Sequence, residues 1–340
     1  MAAPTIYSQP IRNTICRGAQ PPATFAIVFY LSYRKESLML NAKETVSRAR
    51  SLRTAIPAFN IPYLPMVKPV VQAVIDEDSV AMIQVARVEW EKFGSQSLED
   101  VAAEYRKYQS PRHTLLHLDH IPVVDEDLLE VDYLAYIRRG IGAGFQSVMV
   151  DASRLDLGGN ITATKASADL AHVAGVPCEA ELGAVMGHES GPIAPYEEIF
   201  SSKMGFTDSG EAERFVRESG CDWLSVAVGN IHGAVAEHLK HQKKPVARLD
   251  IGQIKVLSDI TGVPLVLHGG SGIDKEYVRS GIAAGIAKIN VGTEIRQAYL
   301  RVIDETGGDI AAAQDAVYLK VREVISGMLG LSNTRAILFG

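Results

Sequence analysis

Between residues 39 and 340, short runs of apolar and β-branched residues recur along the chain, each followed by a helical pattern. In order they are TAIPAFN (54–60), SVAMIQVA (79–86), HTLLHLDH (113–120), FQSVMVD (145–151), VPCEAELG (176–183), CDWLSVAVGNIHG (221–233), VPLVLHGG (263–270) and IAKINVGT (286–293). Strands alternating with helices predict a parallel sheet, and eight strands is the number that closes a (β/α)8 TIM barrel of class α/β. A doubly wound open sheet is the competing arrangement, but no G-x-G-x-x-G follows the first strand. No low-complexity tract or Pro/Ser-rich linker interrupts residues 39–340, which are therefore expected to form one domain.

The first 38 residues differ in pattern. Their apolar run TFAIVFYLSY (24–33), flanked by Arg17, Arg34 and Lys35, resembles a signal segment. It is shorter than the roughly 20 residues that span a bilayer, and no small-residue cleavage site follows it. The expectation is an N-terminal appendage over 1–38, with MLNAKETVSRARSLR opening the barrel near Met39. The three cysteines, at 16, 178 and 221, form no C-x-x-C and suggest a reducing, cytoplasmic setting. A net charge of −6 without any basic run argues against nucleic acid or an anionic membrane as partner.

The polar residues within the runs are not scattered. Asn60, Asp119, His120, Asp151, Glu181, His232, His268 and Asn290 all lie at or just beyond the carboxyl ends of strands. Any one of them reads equally well as a helix cap or a satisfied polar residue. Together they fall on the barrel face where such folds carry their sites. The stretch PLVLHGGSGID (264–274) ends a strand in a histidine and thins to Gly-Gly-Ser. That turn either presents bare N–H groups to a phosphate or is an ordinary strand-to-helix turn.

His120, His232 and His268 can surround one divalent metal and leave a fourth position open. Asp151 and Glu181 are available as outer partners or as ligands at a second metal position. Asp119, beside a histidine, is placed to exchange a proton with a substrate oxygen. The loop in ELGAVMGHESGP (181–192) carries Glu189, which is either solvated or able to close over a substrate. Lys288 shares a strand face with Asn290 and is a Schiff-base candidate, but it lies one layer below the tip, where a packed or ion-paired lysine is expected.

LHLDH, GFQSVMVDAS, EAELG, VAVGNIHG, VPLVLHGGSGI and AKINVGTEIR resemble, in order over about residues 39 to 310, the signatures of class II metal-dependent ketose-bisphosphate aldolases, the fructose- and tagatose-bisphosphate aldolase family. The resemblance implies a cytoplasmic zinc enzyme, a homodimer or homotetramer, that reversibly cleaves a phosphorylated sugar. The products are dihydroxyacetone phosphate and an aldehyde, glyceraldehyde 3-phosphate when the substrate is fructose or tagatose 1,6-bisphosphate. Carried over by residue, it implies zinc on His120, His232 and His268, with Asp151 and Glu181 at a second metal position. It also implies Asp119 as acid/base and Glu189 as the mobile-loop proton carrier. Substrate contacts fall on Asn60, Gly233, Gly269, Gly270, Ser271, Asn290, Val291, Gly292 and Thr293, with a monovalent cation near the phosphate. Departures are Ala86 where a serine is usual, Arg154 for a histidine, Gly292, and a long segment after His120 that begins with Ile121. They leave open a specialised aldolase for another ketose phosphate, or a non-catalytic aldolase-like subunit.

Overall fold

The structure is a computed structural model and describes residues 39–183, 196–230, 247–270 and 272–340. Eight parallel strands close a barrel in sequence order: β1 Ile56–Asn60, β2 Ala81–Ala86, β3 Thr114–Pro122, β4 Ser147–Asp151, β5 Cys178–Leu182, β6 Trp223–Val226, β7 Leu265–Leu267 and β8 Ile286–Val291. The expected TIM barrel is present and the open sheet is excluded. Strands β6 and β7 are shorter than the apolar runs that announced them, while β3 continues two residues past His120.

The helices used below are α1 Ala42–Ser51, α2 Val67–Asp76, α3 Arg87–Lys92, α4 Leu98–Tyr108, α5 Tyr133–Ala143, α6 Leu157–Val173, α7 Tyr196–Ser202, α8 Ser209–Ser219, α9 Ile251–Thr261, α10 Lys275–Ala284, α11 Thr293–Thr306, α12 Ile310–Arg322 and α13 Thr334–Phe339. Many begin at a short polar side chain that takes up a free first-turn N–H: Asn41, Ser97, Asp132, Asp156, Asp208, Asp250 and Asp309 each accept one. Such caps stop the strand-to-helix connections at defined residues and so hold the strand tips in register. No helix among the described residues is long and apolar enough to cross a membrane.

The interior of the barrel changes character along its axis. At the amino-terminal end, Ile56, Ala58, Met82, Leu115, Trp223 and Val266 pack with Ala42, Val46 and Ala49 of α1 and Leu338 of α13, which together close that end. One alternation further along the strands come Gln84, His117, Ser147, Glu179, Ser225 and Lys288, all fully buried. The last step brings Asn60, Asp119, Asp151, Glu181 and Asn290 to the rim, with His268 just past β7. Since strand residues two apart share a face, this gradient is written directly into AMIQVA, LHLDH, EAEL and KIN.

Trp223 is fully buried, and its indole N–H has no hydrogen-bond partner. Replacing Trp223 with Ala is expected to lower stability by about 3–5 kcal/mol in chemical denaturation. Trp223→Phe should cost much less, because it keeps most of the buried ring and removes an unsatisfied donor.

Candidate active site

Strand alternation would place Asp119 and His120 on opposite faces of β3. A bulge prevents this. Leu118 pairs with Val148 and Ile121 with Val150, so three steps on β3 match two on β4. His120 absorbs the extra residue with a left-handed φ of 33°. Both side chains therefore face the barrel mouth, and His120 Nδ1 lies 3.2 Å from Asp151 Oδ2. Burial alone would push the His120 imidazole down, but Asp119, Asp151 and Glu181 carry it up to about 10. Its charge in turn holds Asp151 below the usual carboxylate range against the effect of burial.

Beneath the rim sits an ionic layer. Lys288 Nζ lies 2.8 Å from Glu179 Oε2, and both side chains are fully buried. Glu179 Oε1 lies 3.0 Å from His268 Nε2, while His268 Nδ1 faces Glu181 Oε2 at 2.9 Å. Burial and His120 lower His268, and the two glutamates outweigh them, so its pKa is raised. His117, hydrogen-bonded through Nδ1 to Ser147 Oγ at 2.8 Å, is pushed down to about 3 by burial and by Lys288. It stays neutral. Lys288 is thus the ion-paired lysine that its position below the strand tip suggested.

Asp119 is almost fully buried and receives three amide N–H groups. Asn60 Nδ2 donates to Oδ2 at 2.9 Å, Gln84 Nε2 to the same oxygen at 3.1 Å, and Asn290 Nδ2 to Oδ1 at 3.1 Å. The Asn290 amide is fixed from its other side by Lys288 Nζ, 2.8 Å from Oδ1. Burial would raise the Asp119 carboxyl, but His120, Lys288 and His268 hold it below the ordinary value. A buried carboxylate is thereby kept ionised.

Glu89 is a second carboxyl on this side of the mouth, in the first turn of α3. Its Oε2 accepts from the Ala86 N–H at 2.7 Å and lies 3.4 Å from Asn60 Nδ2. Burial, helped by the charge of Asp119, raises its pKa to about 8. The basic residues of α3 are engaged elsewhere: Arg87 pairs with Asp125 at 3.3 Å and Lys92 with Glu126 at 2.6 Å. These pairs tie the long segment after β3 to the helix after β2, linking two of the departures noted in the sequence.

At the tips of β7 and β8 the chains approach closely. A Cβ on Gly270 would stand 2.7 Å from Ile289 Cγ2 and 3.2 Å from the Asn290 carbonyl, so only glycine fits. Gly269 is left-handed at φ 64°. The Gly270 N–H donates to the Asn290 carbonyl at 3.3 Å. Gly292 precedes α11, whose first turn begins at Thr293 and has no side-chain cap, and Val291 before it is buried. Asn230 donates to the His268 carbonyl at 2.9 Å and fixes the end of β6 against β7. His232, Gly233, Ser271 and Glu189 lie outside the described residues.

The donor chemistry suits a divalent cation. Ligand atoms of His120, Asp151 and Glu181 lie within 4.8 Å of one another, as do those of Asp119, His120 and His268. The two groups share His120, and the His120 and His268 rings stand 4.5 Å apart. The carboxyl groups of Asp119, Asp151, Glu179 and Glu181 outnumber the neighbouring Lys288 and two imidazoles, which favours added positive charge. His117, Asp119 and Glu179 form a similar group. There the ammonium of Lys288 already supplies the cation.

The model of the class II fructose-bisphosphate aldolase family matches residues 40–333, and the chain belongs to that family. It is an aldolase, and hence a lyase, of a metal-dependent class that acts on small phosphorylated sugars. The chain is 32% identical over 276 residues to a 6-phospho-5-dehydro-2-deoxy-D-gluconate aldolase of Halalkalibacterium halodurans, covering 78% of this chain and 84% of that one. It is also 32% identical over 297 residues to the enzyme of the same name from Bacillus velezensis, covering 83% and 93%. Among solved structures, the YdjI aldolase of Escherichia coli K12 superposes with a TM-score of 0.69 at 27% identity, over 87% of this chain and 99% of that one.

Gln84, Glu89, His117 and Glu179 were not among the site residues expected from sequence. Three of them are signalled by alternation: His117 lies two before Asp119, Glu179 two before Glu181, and Gln84 two before the β2 tip. Glu89 carries no such signal.

Replacing Lys288 with Met leaves Glu179 buried without its ammonium, and stability is expected to fall by about 3–5 kcal/mol in denaturant titrations. Glu89 acts in the opposite sense. Its pKa rises from 4.5 to about 8 on folding, so stability present below pH 4.5 is lost as the pH climbs towards 8. Glu89→Gln should therefore stabilise the protein by an amount that grows by about 1.4 kcal/mol per pH unit between these values. Thermal melts of both proteins at pH 5 and pH 8 measure the difference.

Proposed function

We propose that this aldolase releases dihydroxyacetone phosphate from a ketose phosphate, with Asp119 and Glu189 carrying the protons and a zinc ion held by His120, His232 and His268 beside Asp151 and Glu181. The observation that carries the reading is the convergence of Asp119, His120, Asp151, Glu181 and His268 on one end of the barrel. When bound, the zinc supplies Lewis-acid polarisation of the substrate ketone. Asp119, kept ionised by the neighbouring cations and directed by its three amide donors, takes the proton from the hydroxyl on the carbon that becomes the aldehyde. The carbon–carbon bond breaks, and its electron pair stays on the dihydroxyacetone phosphate carbon. Glu189 protonates that carbon. The uncapped start of α11 and the thin turn at Gly269 and Gly270 support binding of the phosphate away from the reacting atoms.

The other product is best read as an aldehyde without a phosphate. Arg87 and Lys92, the cations that follow β2, are taken up by Asp125 and Glu126. The relatives point the same way: splitting 6-phospho-5-dehydro-2-deoxy-D-gluconate between C3 and C4 gives dihydroxyacetone phosphate and malonate semialdehyde. Fructose or tagatose 1,6-bisphosphate is the second reading, favoured by the intact metal and phosphate motifs.

The test is release of dihydroxyacetone phosphate from each of these three substrates, with and without EDTA followed by zinc. The reading predicts chelator-sensitive release, restored by zinc and fastest with the deoxygluconate derivative. His268→Ala should lower kcat/KM at least about a hundredfold. Release that survives chelation would contradict the metal chemistry, and a fastest rate on a bisphosphate would favour the second reading.

A further inference from the structure

We infer that Glu89 is a positioning residue for the aldehyde half of the reaction: from the first turn of α3 it fixes the amide of Asn60, and through Asn60 the carboxylate of Asp119. The inference rests on the aldolase reading above.

A glutamate at the third position of a helix ordinarily closes the helix start and faces water. Glu89 closes α3 through the Ala86 N–H, yet it is only 6% exposed and faces the barrel mouth. Its other contact is Asn60. The Asn60 amide has two N–H bonds and one oxygen, and each has a separate use. One N–H goes to Asp119 Oδ2 at 2.9 Å, the other side of Nδ2 faces Glu89 Oε2 at 3.4 Å, and Oδ1 accepts from Gln84 at 2.8 Å. Turning the amide over would set its oxygen against two carboxyl groups and its nitrogen against the Gln84 amide N–H. The 3.4 Å contact is long, so Glu89 contributes orientation more than bond strength.

The groups that face Glu89 are few. Asp119 acts on it from β3 and Arg296 from α11. The Arg296 guanidinium lies over the Phe93 ring, 4.7 Å from its centroid. On its own helix, Arg87 turns to Asp125 and Glu91, and Lys92 to Glu126 and Asp127. Without Glu89, only Gln84 and Asp119 itself orient the Asn60 amide, and one N–H of Nδ2 loses its partner. The direction of that donor to Asp119 is then held less tightly, and proton transfer at the aldehyde carbon's hydroxyl is sensitive to such misplacement.

The experiment compares wild type, Glu89→Ala and Glu89→Gln in two assays. The first is exchange of the carbon-bound hydrogen of dihydroxyacetone phosphate with solvent deuterium, which does not need Asp119. The second is aldol addition of dihydroxyacetone phosphate to malonate semialdehyde and to glyceraldehyde 3-phosphate, which does. Glu89→Ala is expected to lower kcat for addition about ten- to a hundredfold, with KM and the exchange rate changed less than about threefold. Glu89→Gln keeps an oxygen for Ala86 and Asn60 and should restore addition to within about threefold of wild type. The inference is overturned if Glu89→Ala adds as fast as wild type, if exchange and addition fall together, or if Glu89→Gln gives no rescue. Absence of exchange in the wild type would instead overturn the aldolase reading itself.

Discussion

The site depends on one ion pair in the middle of the barrel. Lys288 and Glu179 meet at 2.8 Å with both side chains inaccessible to water. Burying either charge alone would cost several kcal/mol, so each is present because the other is. Each also has a second contact that leads upward. Lys288 holds the Asn290 amide, which donates to Asp119, and Glu179 holds Nε2 of His268. One buried pair therefore sets the direction of the Asp119 carboxylate and of the His268 imidazole, whose polar atoms come within 4.8 Å of one another at the mouth.

This arrangement explains why the barrel interior is graded. An apolar floor around Trp223 carries stability, and the layer above it gives some of that stability up in desolvation to obtain fixed directions. The rim then needs few contacts of its own. His120 sits in a left-handed conformation and Glu89 takes up a proton on folding, and both costs fall at the site. Strain and perturbed titration collected where chemistry is done are what a supporting layer of this kind makes tolerable.

Much of this was legible before any coordinates. The apolar runs and their spacing define the barrel, and polar residues at successive strand ends define its working face. The ionic layer is also present in the letters, because EAEL, HLDH and KIN repeat polar residues at a period of two, which sets His117, Glu179 and Lys288 one layer below the tips. Two features were not legible. The β3 bulge leaves no mark in LHLDH, since the pairing that creates it lies 30 residues away on β4. The use of Arg87 and Lys92 by the segment after β3 depends on how two long connections fold over each other, which local pattern does not encode.

That the buried layer, and not the rim alone, orients His268 has a direct consequence for metal binding. It is tested most directly by the zinc affinity of Glu179→Gln against wild type, measured by competition with a chromophoric chelator on protein whose circular dichroism is unchanged. Loss of the carboxylate behind His268 should weaken zinc binding about 10- to 100-fold. An affinity equal to that of the wild type would contradict the account.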